Sequence, residues 1–307
     1  MKAATITANG GPEVFEYADM PDPVAAPGQV VVDIVNATVN GADWKVRAGK
    51  IDPIPAFPYI LGRDFSGHVS AVGDGVTDLS TGDAVFGVCD VGQEGAYAEK
   101  IAMRADLVCK KPEWISHEHA ASLALTGLTA LVTIEDTLNV QAGERLVVEG
   151  GAGGVASFAI QVAKHIGAHV ITTCSTKNLE YVSGLGADQV IDYTTEDVVQ
   201  AAGLVDCVFD TVGGEVATRA YTMLKSGGRA AFIASGPTAP ENPRDDVQGL
   251  RPKVGRDRPH LQRILDLVEA KAIQMPEITF YELKDAAEAH RVSEGRHLRG
   301  KLIFKVG

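Results

Sequence analysis

The second half of the chain alternates short apolar runs with stretches of helical periodicity. The runs are LVVEG, HVITTC, QVIDY, CVFDTV and RAAFIAS, and the helical stretch HEHAASLALTGLTALVTIEDTL precedes the first of them. Strands that are apolar on both faces and follow one another through helices are typical of a parallel sheet with helices on each side. The pattern therefore predicts an α/β fold with a doubly wound parallel sheet in this half.

The beginning and the end of the chain have a different pattern. Short apolar runs separated by turn residues predict a small antiparallel barrel or sandwich over residues 1–110, and the chain from 276 onwards is predicted as strand, short helix and strand. A chain of 307 residues is long enough for two domains. We predict one domain from residues 1–116 and 276–307 and the other from 117–275. The loop at 236–256, rich in proline, glycine and charge, is predicted to be mobile.

Composition excludes several classes of protein. The formal net charge of −12 argues against nucleic-acid binding, which needs clustered basic residues. No apolar run approaches the ~18 residues of a membrane span. The first residues have no apolar core of the kind found in signal peptides, so we expect a cytoplasmic protein. The four cysteines match no zinc pattern and are expected to be buried or half-buried thiols.

A glycine-rich turn lies between the first apolar run and the next helix. Leu146–Glu149 is predicted as a strand, Gly150–Gly154 as a turn and Val155–Ile166 as a helix. Small residues in such a turn let the backbone approach a pyrophosphate, and the helix N-terminus offers free N–H groups. This context predicts a Rossmann-type dinucleotide site rather than a plain structural turn.

The turn fits the pattern G-x-G-x-x-A. Gly151 and Gly153 take its two glycine positions, and Ala156 takes the third, where close helix packing is required. Gly154 and Val155, at the predicted helix start, are further candidate contacts of the cofactor.

The end of the second strand distinguishes the two nicotinamide dinucleotides. NAD sites usually place an acid there, about 20 residues after the glycines, to bind the ribose hydroxyls. Here the chain reads TTCSTKN, with Ser175 and Lys177 and no acid. A hydroxyl and an ammonium can bind a 2′-phosphate, although Lys177 could also be an ordinary surface lysine. The sequence therefore favours NADPH.

Nine stretches in order make the chain similar to the medium-chain dehydrogenase/reductases. They are VNGADWKVRAG, LGRDFSGHVSAVG, GDAVFG, GAYAEKIAM, AASLALTGLTA, GGAGGVASFAIQVAKHIGA, GADQVIDY, FDTVGG and RGKLIF. Within that superfamily the chain resembles the zinc-free quinone oxidoreductases of the zeta-crystallin type. The resemblance implies a GroES-like β-barrel catalytic domain beside the Rossmann domain. It also implies a cofactor contact for Tyr193, near the adenosine phosphate, with an ordinary half-buried tyrosine as the alternative. Ser235 is a further candidate contact, because it follows the fifth strand at the carboxyl edge, where ligands bind in such sheets.

Zinc-dependent relatives place metal ligands at positions where this chain has other residue types. Asn40, the pair Arg63–Asp64 and the region of Thr126 stand there. Asparagine and arginine cannot replace thiolate and imidazole on Zn²⁺, so we predict no zinc site. Without a metal to stabilise an alkoxide, the hydride acceptor should delocalise the charge itself, as quinones and α,β-unsaturated carbonyls do.

The resemblance also yields candidate catalytic residues, each with a structural alternative. Asn40 could donate an N–H to the substrate carbonyl or only fix a turn. Lys45 could contact the nicotinamide ribose or supply a proton, but it could also be a surface lysine. Thr126 is expected near the nicotinamide at the domain junction, or else packs inside a helix. Asp43 and Arg63 are hypothesised to form an ion pair that shapes the cleft, beside Asp64.

Two residues depart from the pattern of this branch. Ala156 replaces a common glycine, and Lys45 stands where many quinone reductases carry tyrosine, whereas enone reductases of the plant type often carry lysine. The prediction is a zinc-independent NADPH:quinone oxidoreductase or enone reductase. A nucleotide-binding sensor, structural or RNA-binding protein and, less favoured, a zinc-dependent alcohol dehydrogenase are the alternatives. A homodimer through an edge strand of the Rossmann sheet, with RAAFIAS as the candidate edge, is a further expectation.

Overall fold

The structure, a computed structural model, describes residues 1–90, 92–236, 238–295 and 298–307. Contacts divide the chain into two compact units. Unit 1 comprises Met1–Leu125, Arg256–Gln262 and Pro276–Gly307, and unit 2 comprises Thr126–Gly255 and Arg263–Met275. The domain boundaries given by the sequence pattern stay a prediction.

Strands and helices alternate along the chain. The strands are β1 (Lys2–Ile6), β2 (Phe15–Asp19), β3 (Gln29–Val39), β4 (Tyr59–Ile60), β5 (Asp64–Val72), β6 (Ala84–Val88), β7 (Lys100–Arg104), β8 (Val108–Lys110), β9 (Arg145–Glu149), β10 (His169–Cys174), β11 (Gln189–Asp192), β12 (Val205–Asp210), β13 (Leu224–Phe232), β14 (Gln248–Leu250), β15 (Ile278–Glu282) and β16 (Lys301–Lys305). The α-helices are α1 (Gly41–Arg47), α2 (His117–Leu131), α3 (Gly154–Ile166), α4 (Leu179–Ser183), α5 (Val198–Ala202), α6 (Glu215–Ala220), α7 (Arg258–Glu269) and α8 (Ala286–Glu294). Short 3₁₀ turns lie at Pro12–Val14, Ala105–Leu107, Thr176–Asn178, Tyr221–Met223 and Leu283–Asp285, and a π-helical segment at Val132–Thr137 follows α2.

Unit 2 is built on a six-stranded parallel sheet. Its strand order is β11-β10-β9-β12-β13-β14, so the chain starts in the middle, moves to one edge and then crosses to the other. Every pair of neighbouring strands in it is parallel. The predicted doubly wound parallel sheet is therefore confirmed. Apolar residues such as Val147 and Val208 are fully buried, as expected for strands covered on both faces.

The prediction that RAAFIAS forms the sheet edge is wrong. Arg229–Ala231 of β13 pair on one side with β12 and on the other with β14. The chain beyond β13 returns to the sheet at Gln248–Leu250 and takes up the backbone N–H and C=O groups that a partner strand would need. In the described part of the sheet, β14 is the edge strand on that side.

The segment 236–256, predicted as a loop, contains a strand in its central part, and its mobility stays a prediction. β14 lies inside this segment, and two of its arginine side chains form hydrogen bonds with backbone carbonyl oxygens in and before β13. Arg244 donates to the carbonyl oxygens of Tyr221 and Leu224, and Arg251 donates to that of Phe232. Pro237, in the same predicted loop, lies outside the described residues.

Unit 1 contains a seven-stranded sheet and a three-stranded sheet. The larger one has the order β15-β16-β3-β5-β6-β8, with β7 also pairing with β3, and the smaller one has the order β2-β1-β4. Pairing is antiparallel except between β15 and β16. The strands predicted near both ends of the chain therefore join one sheet, around a core that includes Phe65 and Phe304.

Two simpler expectations can be compared directly with the structure. The four cysteines are free and buried, as predicted. In the described ranges of the chain, no helix has the length and apolar character needed to cross a membrane.

Candidate active site

The turn after β9 leaves no space for a side chain at its second glycine. Gly150 has a φ of +81°, a left-handed conformation that favours glycine. A Cβ atom on Gly151 would lie 2.4 Å from Thr172 Oγ1 and 3.1 Å from a methyl group of Val182. The Thr172 hydroxyl is itself fixed, because it donates to the carbonyl oxygen of Val148 over 2.7 Å. The turn therefore packs so closely against β10 that only glycine fits at position 151.

Helix α3 begins at this turn and presents its N-terminus there. Its N-cap, Gly153, has no side chain that could satisfy the first N–H groups. Gly153, Gly154 and Val155 are all partly exposed, whereas Ala156 is fully buried. N–H groups in the first turn of a helix have no partner within the helix and suit an anion. The turn and the helix thus form a cradle for a phosphate group, formed by the residues that the sequence pattern singled out.

Replacing Gly151 by alanine is expected to lower the free energy of unfolding by about 1–3 kcal/mol, because the new methyl group overlaps Thr172 in a packed region. Urea unfolding measures this change. Gly41→Ala is the matched control: its Cβ atom would meet nothing within 4 Å, so its unfolding midpoint should not fall. Equal midpoints for the two variants would contradict the close packing of the turn.

The three residues predicted to bind the adenosine phosphate lie at the ends of neighbouring strands. Cys174 pairs with Asp192 in the parallel register of β10 and β11. Ser175 and Tyr193 follow these two residues directly and so emerge at the same edge of the sheet. Lys177 is exposed, and Tyr193 is 48% exposed. The edge therefore offers a hydroxyl, an ammonium and an aromatic ring to solvent.

Hydrogen bonds join the two segments at this edge. Thr176 donates to Asp192 over 2.5 Å, and Thr194 donates to the other carboxylate oxygen over 2.7 Å. Asn178 donates to Ser175 over 3.4 Å. These bonds fix the backbone on either side of Lys177 without using its ammonium group in any of them.

Ser235 and Thr126 occupy separate places in the fold. Ser235 follows β13 and donates to the carbonyl oxygen of Thr238 over 3.1 Å. Thr126 is a buried residue of α2, with 7% of its surface exposed. The roles predicted for these two residues stay predictions.

Asn40 is held in a buried network of unit 1. Its amide oxygen accepts from Lys301 over 2.8 Å, and its amide nitrogen donates to Asp64 over 2.8 Å. Since lysine can only donate, the amide orientation is determined by its partners. The other amide hydrogen has only Thr38, at 3.5 Å, as a distant partner among these contacts. Asp64 also accepts from the Thr38 hydroxyl and from the Leu125 N–H, so its carboxylate connects separate segments of unit 1.

Asp43 and Arg63 lie within ion-pair distance of each other, and the hypothesis that their pair shapes the cleft stays a prediction. Arg63 Nε lies 3.7 Å from Asp43 Oδ1 and 2.9 Å from Glu94 Oε1, and the far end of the guanidinium reaches the exposed Asp52. Burial acts against the charge of Arg63, but Asp43 and Glu94 hold its pKa above the ordinary value. Asp43 is fully buried and also accepts from Tyr97 over 2.7 Å.

Lys45 lies on α1, two residues after Asp43. Its side chain is half-buried, with the ammonium 5.8 Å from the centre of the Trp44 ring. Helix α1 itself is anchored at its start, where the Asn40 N–H donates to the Asp43 carboxylate over 2.8 Å. Asn40, Asp43 and Lys45 thus belong to one short segment, and its two buried members are fixed by hydrogen bonds.

The residues at the metal-ligand positions of zinc-dependent relatives do not suit Zn²⁺. The Asn40 amide and the Asp64 carboxylate bind each other and Lys301, and Arg63 brings a cation to the site. Among the described residues, no three histidine, cysteine or acidic side chains cluster as metal ligands would. The absence of zinc stays a prediction, and the chemistry below involves no metal.

Several buried polar residues were missed at the sequence level. Lys301 is the first residue of β16, directly before three buried apolar residues, and a lysine beside such a run is a signal that it has a buried partner. Burial lowers the pKa of Lys301, against the effect of Asp64 and Asp43. Glu149, at the end of β9, is also buried and accepts from Thr173 and Arg219. Glu94 carries no such signal, because it lies in the glycine-rich stretch GQEGA.

Two protein families match the chain. Residues 26–113 match the family described as alcohol dehydrogenase GroES-like domain, and residues 185–304 match the zinc-binding dehydrogenases. The first match confirms the GroES-like fold expected for the N-terminal part of the chain.

Similar proteins include reductases of two kinds. The NADPH-dependent alkenal/one oxidoreductase of Arabidopsis thaliana, a chloroplastic protein, is 33% identical over 99% of this chain and 79% of its own length. The quinone oxidoreductase from Coxiella burnetii is 33% identical, with a TM-score of 0.94 over 100% of this chain and 99% of its own. The Escherichia coli quinone oxidoreductase complexed with NADPH is 27% identical, with a TM-score of 0.90 over 99% and 100%.

These likenesses extend over both units of the chain and over nearly the full length of the solved structures. They agree with the glycine turn, the parallel sheet and the GroES-like region described above. The chain belongs to the medium-chain dehydrogenase/reductase superfamily, in the branch of the quinone oxidoreductases.

Proposed function

We propose that this protein is an NADPH-dependent oxidoreductase that reduces conjugated carbonyl compounds, either quinones or α,β-unsaturated ketones and aldehydes. Bound NADPH supplies the hydride. The chain supplies the cradle for the cofactor, hydrogen-bond donors for the acceptor and a proton.

The choice of NADPH is supported by the carboxyl ends of β10 and β11. Lys177 is exposed there, and Ser175 lies two residues before it. The first residue after β10 is a serine rather than the acid that binds ribose hydroxyls in NAD sites. An ammonium and a hydroxyl attract the 2′-phosphate of NADPH, whereas a carboxylate there would repel it. The cradle formed by Gly151, Gly153 and the start of α3 fits the pyrophosphate.

The amide of Asn40, held by hydrogen bonds beside the Arg63 cation, is the observation that carries the proposed substrate class. Such an amide can donate to an oxygen, but it cannot coordinate the oxygen as a Lewis acid does. Donors of this kind suffice when the substrate delocalises the developing charge. A quinone or enone does so, because its conjugation carries the charge to oxygen. The names of the relatives include both substrate classes.

Asn40, Lys45 and Thr126 are the residues proposed to act on cofactor or substrate. Asn40 has one amide hydrogen that only a distant hydroxyl approaches, and this hydrogen is the proposed donor to the substrate carbonyl. Lys45 is proposed to contact the nicotinamide ribose, and Thr126 the nicotinamide. Asp43, Arg63 and Asp64 hold the segment that carries Asn40 and are proposed as positioning residues.

Turnover with two acceptors tests the proposal. Purified protein, dialysed against a chelator, is mixed with NADPH or NADH and either a quinone or a short-chain enone, and loss of the 340 nm absorbance is followed. We expect turnover with NADPH on at least one acceptor and slower turnover with NADH. NADPH binding without reduction of either acceptor would favour a sensor or binding role, and activity that requires added zinc would overturn the metal-independent chemistry.

Location and assembly remain proposals. A cytoplasmic location is proposed from the sequence, although the Arabidopsis relative is chloroplastic. A homodimer through an edge of the parallel sheet would have to use β14 or β11, the two edge strands of its described part, since β13 is paired on both sides in its central part.

A further inference from the structure

Buried polar atoms without a partner cluster around Arg63 in unit 1. Within the part of the chain that the structure describes, Asp43 Oδ1, Glu94 Oε2 and Arg256 Nε have no hydrogen-bond partner. Burial, followed by repulsion from Arg63, lowers the pKa of Arg256, and Glu94 acts in the opposite direction. Buried polar atoms are nearly always paired, so unpaired ones indicate a functional role or a ligand. The cluster offers both a donor and a carboxyl group to a polar ligand.

Two of these groups are carboxyls that share one cation. Arg63 Nε lies 2.9 Å from Glu94 Oε1 and 3.7 Å from Asp43 Oδ1. The Glu94 side chain is 5% exposed, and that of Asp43 is completely buried. Arg256 donates instead to the carbonyl oxygens of Cys89 and Asp90. Two buried carboxyls that face one guanidinium disfavour each other's ionisation, so one of them tends to keep a proton.

Burial raises the pKa of Asp43, but a directed chain of hydrogen bonds lowers it and favours Asp43 as the ionised member. Arg47 lies 3.2 Å from His290 Nδ1 and can only donate, so the histidine proton is on Nε2. Nε2 in turn lies 3.2 Å from the Tyr97 hydroxyl, which therefore donates its own hydrogen to Asp43 Oδ2 over 2.7 Å. Burial, followed by the charge of Arg47, lowers the pKa of His290 to about 3, so the ring stays neutral. With a second donor in the Asn40 N–H, Asp43 Oδ2 is an acceptor of two hydrogen bonds.

Glu94 is then the carboxyl that carries the proton. Its Oε1 accepts from Arg63, and its Oε2 is buried without a hydrogen-bond partner. Burial, followed by the charge of Asp43, raises the pKa of Glu94 to about 7, against the effect of Arg63. The other ionisable groups that interact with this cluster include Asp52, Tyr59, Asp64, Cys89, Tyr97, Arg256 and Lys301. A carboxylic acid with a free O–H is therefore available near neutral pH.

We propose that Glu94 is the proton donor of the reduction. The inference rests on the proposed function. The β-carbon of an enone receives the hydride, with its two electrons, from NADPH, and the π electrons of the C=C bond move towards the carbonyl oxygen as an enolate. The O–H bond of Glu94 breaks, its proton forms the new C–H bond at the α-carbon, and the electron pair stays on the carboxylate. Arg63 pairs with that carboxylate, and a proton from solvent restores the acid.

Glu94→Gln tests this assignment, because the amide keeps the shape of the side chain but is not an acid. We expect the kcat for a short-chain enone to fall by about a hundredfold or more, as for loss of a general acid, while the Kd for NADPH stays unchanged. In the wild type the rate should fall as pH rises through about 7, where Glu94 loses its proton, and this decline should be absent from the variant. Glu113→Gln, at an exposed position of the same unit, is the control, and its kcat and pH dependence should equal those of the wild type.

Infrared spectroscopy provides a readout that does not depend on turnover. Wild-type protein in D₂O should show the C=O stretch of a protonated carboxyl that disappears as pH rises through about 7, and E94Q should lack it. Absence of this band from the wild type overturns the assignment even if E94Q does not fold. Wild-type kcat and pH dependence in E94Q overturn it as well. If the wild type reduces neither quinone nor enone, the proposed function fails together with the role of Glu94.

Discussion

Replacing Arg63 by methionine is expected to lower the free energy of unfolding by about 3–5 kcal/mol, the usual cost of removing one partner from a buried ion pair. The guanidinium lies between Asp43 and Glu94, whose side chains are 0% and 5% exposed. Methionine fills part of the space but leaves both carboxyls without a cation. Urea unfolding at neutral pH measures the loss.

The loss should depend on pH in a defined direction. Burial already raises the folded-state pKa values of Asp43 and Glu94 in the wild type, and loss of Arg63 raises both further. At pH values between the unfolded and the folded pKa values, the folded state of R63M therefore binds more protons than its unfolded state. Stability is then retained below the unfolded pKa values, about 4, and lost as pH rises through the folded ones. The free energy of unfolding of R63M should therefore differ less from that of the wild type at pH 4 than at pH 8.

Arg104→Met is the matched control. Arg104 is also paired with two acids, Asp90 and Asp106, but its side chain is 54% exposed, and exposed pairs are weak. We expect its unfolding midpoint to stay close to that of the wild type. If R63M unfolds like R104M at every pH, the Asp43–Arg63–Glu94 cluster does not stabilise the fold, and the assignment of a proton to Glu94 loses its basis.

The parallel sheet could be predicted because its signal is local. Each strand from β9 to β13 is an apolar run followed by turn residues, and strands of this kind have few alternatives to a sheet covered on both faces. The same reasoning located the turn at Gly151 and the edge residues Ser175 and Lys177, because in a parallel sheet all the carboxyl ends lie on one side. Fold and cofactor cradle therefore follow from sequence periodicity.

The edge of that sheet could not be predicted. β14 has three residues, Gln248–Leu250, within a segment rich in proline, glycine and charge. Its pairing with β13 depends on anchors such as Arg244 and Arg251, which act through carbonyl oxygens far away in sequence. Sequence periodicity carries no information about such bonds, so RAAFIAS was wrongly predicted as the edge.

The buried polar cluster could not be predicted from the sequence either, for a different reason. Asn40 and Arg63 were found because they stand at metal-ligand positions in relatives, but their partners Lys301 and Glu94 lie on distant segments. Tertiary packing decides which polar residues come together inside a fold. From sequence alone, an isolated glutamate is predicted to lie on the surface. Only the distances show that the carboxyls of Glu94 and Asp43 share one guanidinium.

Lys177→Ala is expected to weaken NADPH binding about ten- to a hundredfold, because a hydrogen bond to a charged group contributes ~1.5–3 kcal/mol. The Kd for NADH, which has no 2′-phosphate, should stay unchanged. Lys177 is exposed at the carboxyl ends of β10 and β11, beside Ser175. Titration of the protein fluorescence with each dinucleotide measures both constants.

Lys164→Ala separates a specific phosphate contact from a general effect of charge. Lys164 is also on unit 2, but it pairs with Asp188 at the opposite, amino-terminal end of β11. Its loss should change the Kd of neither dinucleotide. Adding Ser175→Asp to Lys177→Ala should then reverse the preference, since a carboxylate after β10 accepts the ribose hydroxyls of NADH and repels a phosphate. Equal weakening of NADPH and NADH by Lys177→Ala would mean that the lysine binds the part the two cofactors share, and the 2′-phosphate would have to be recognised elsewhere.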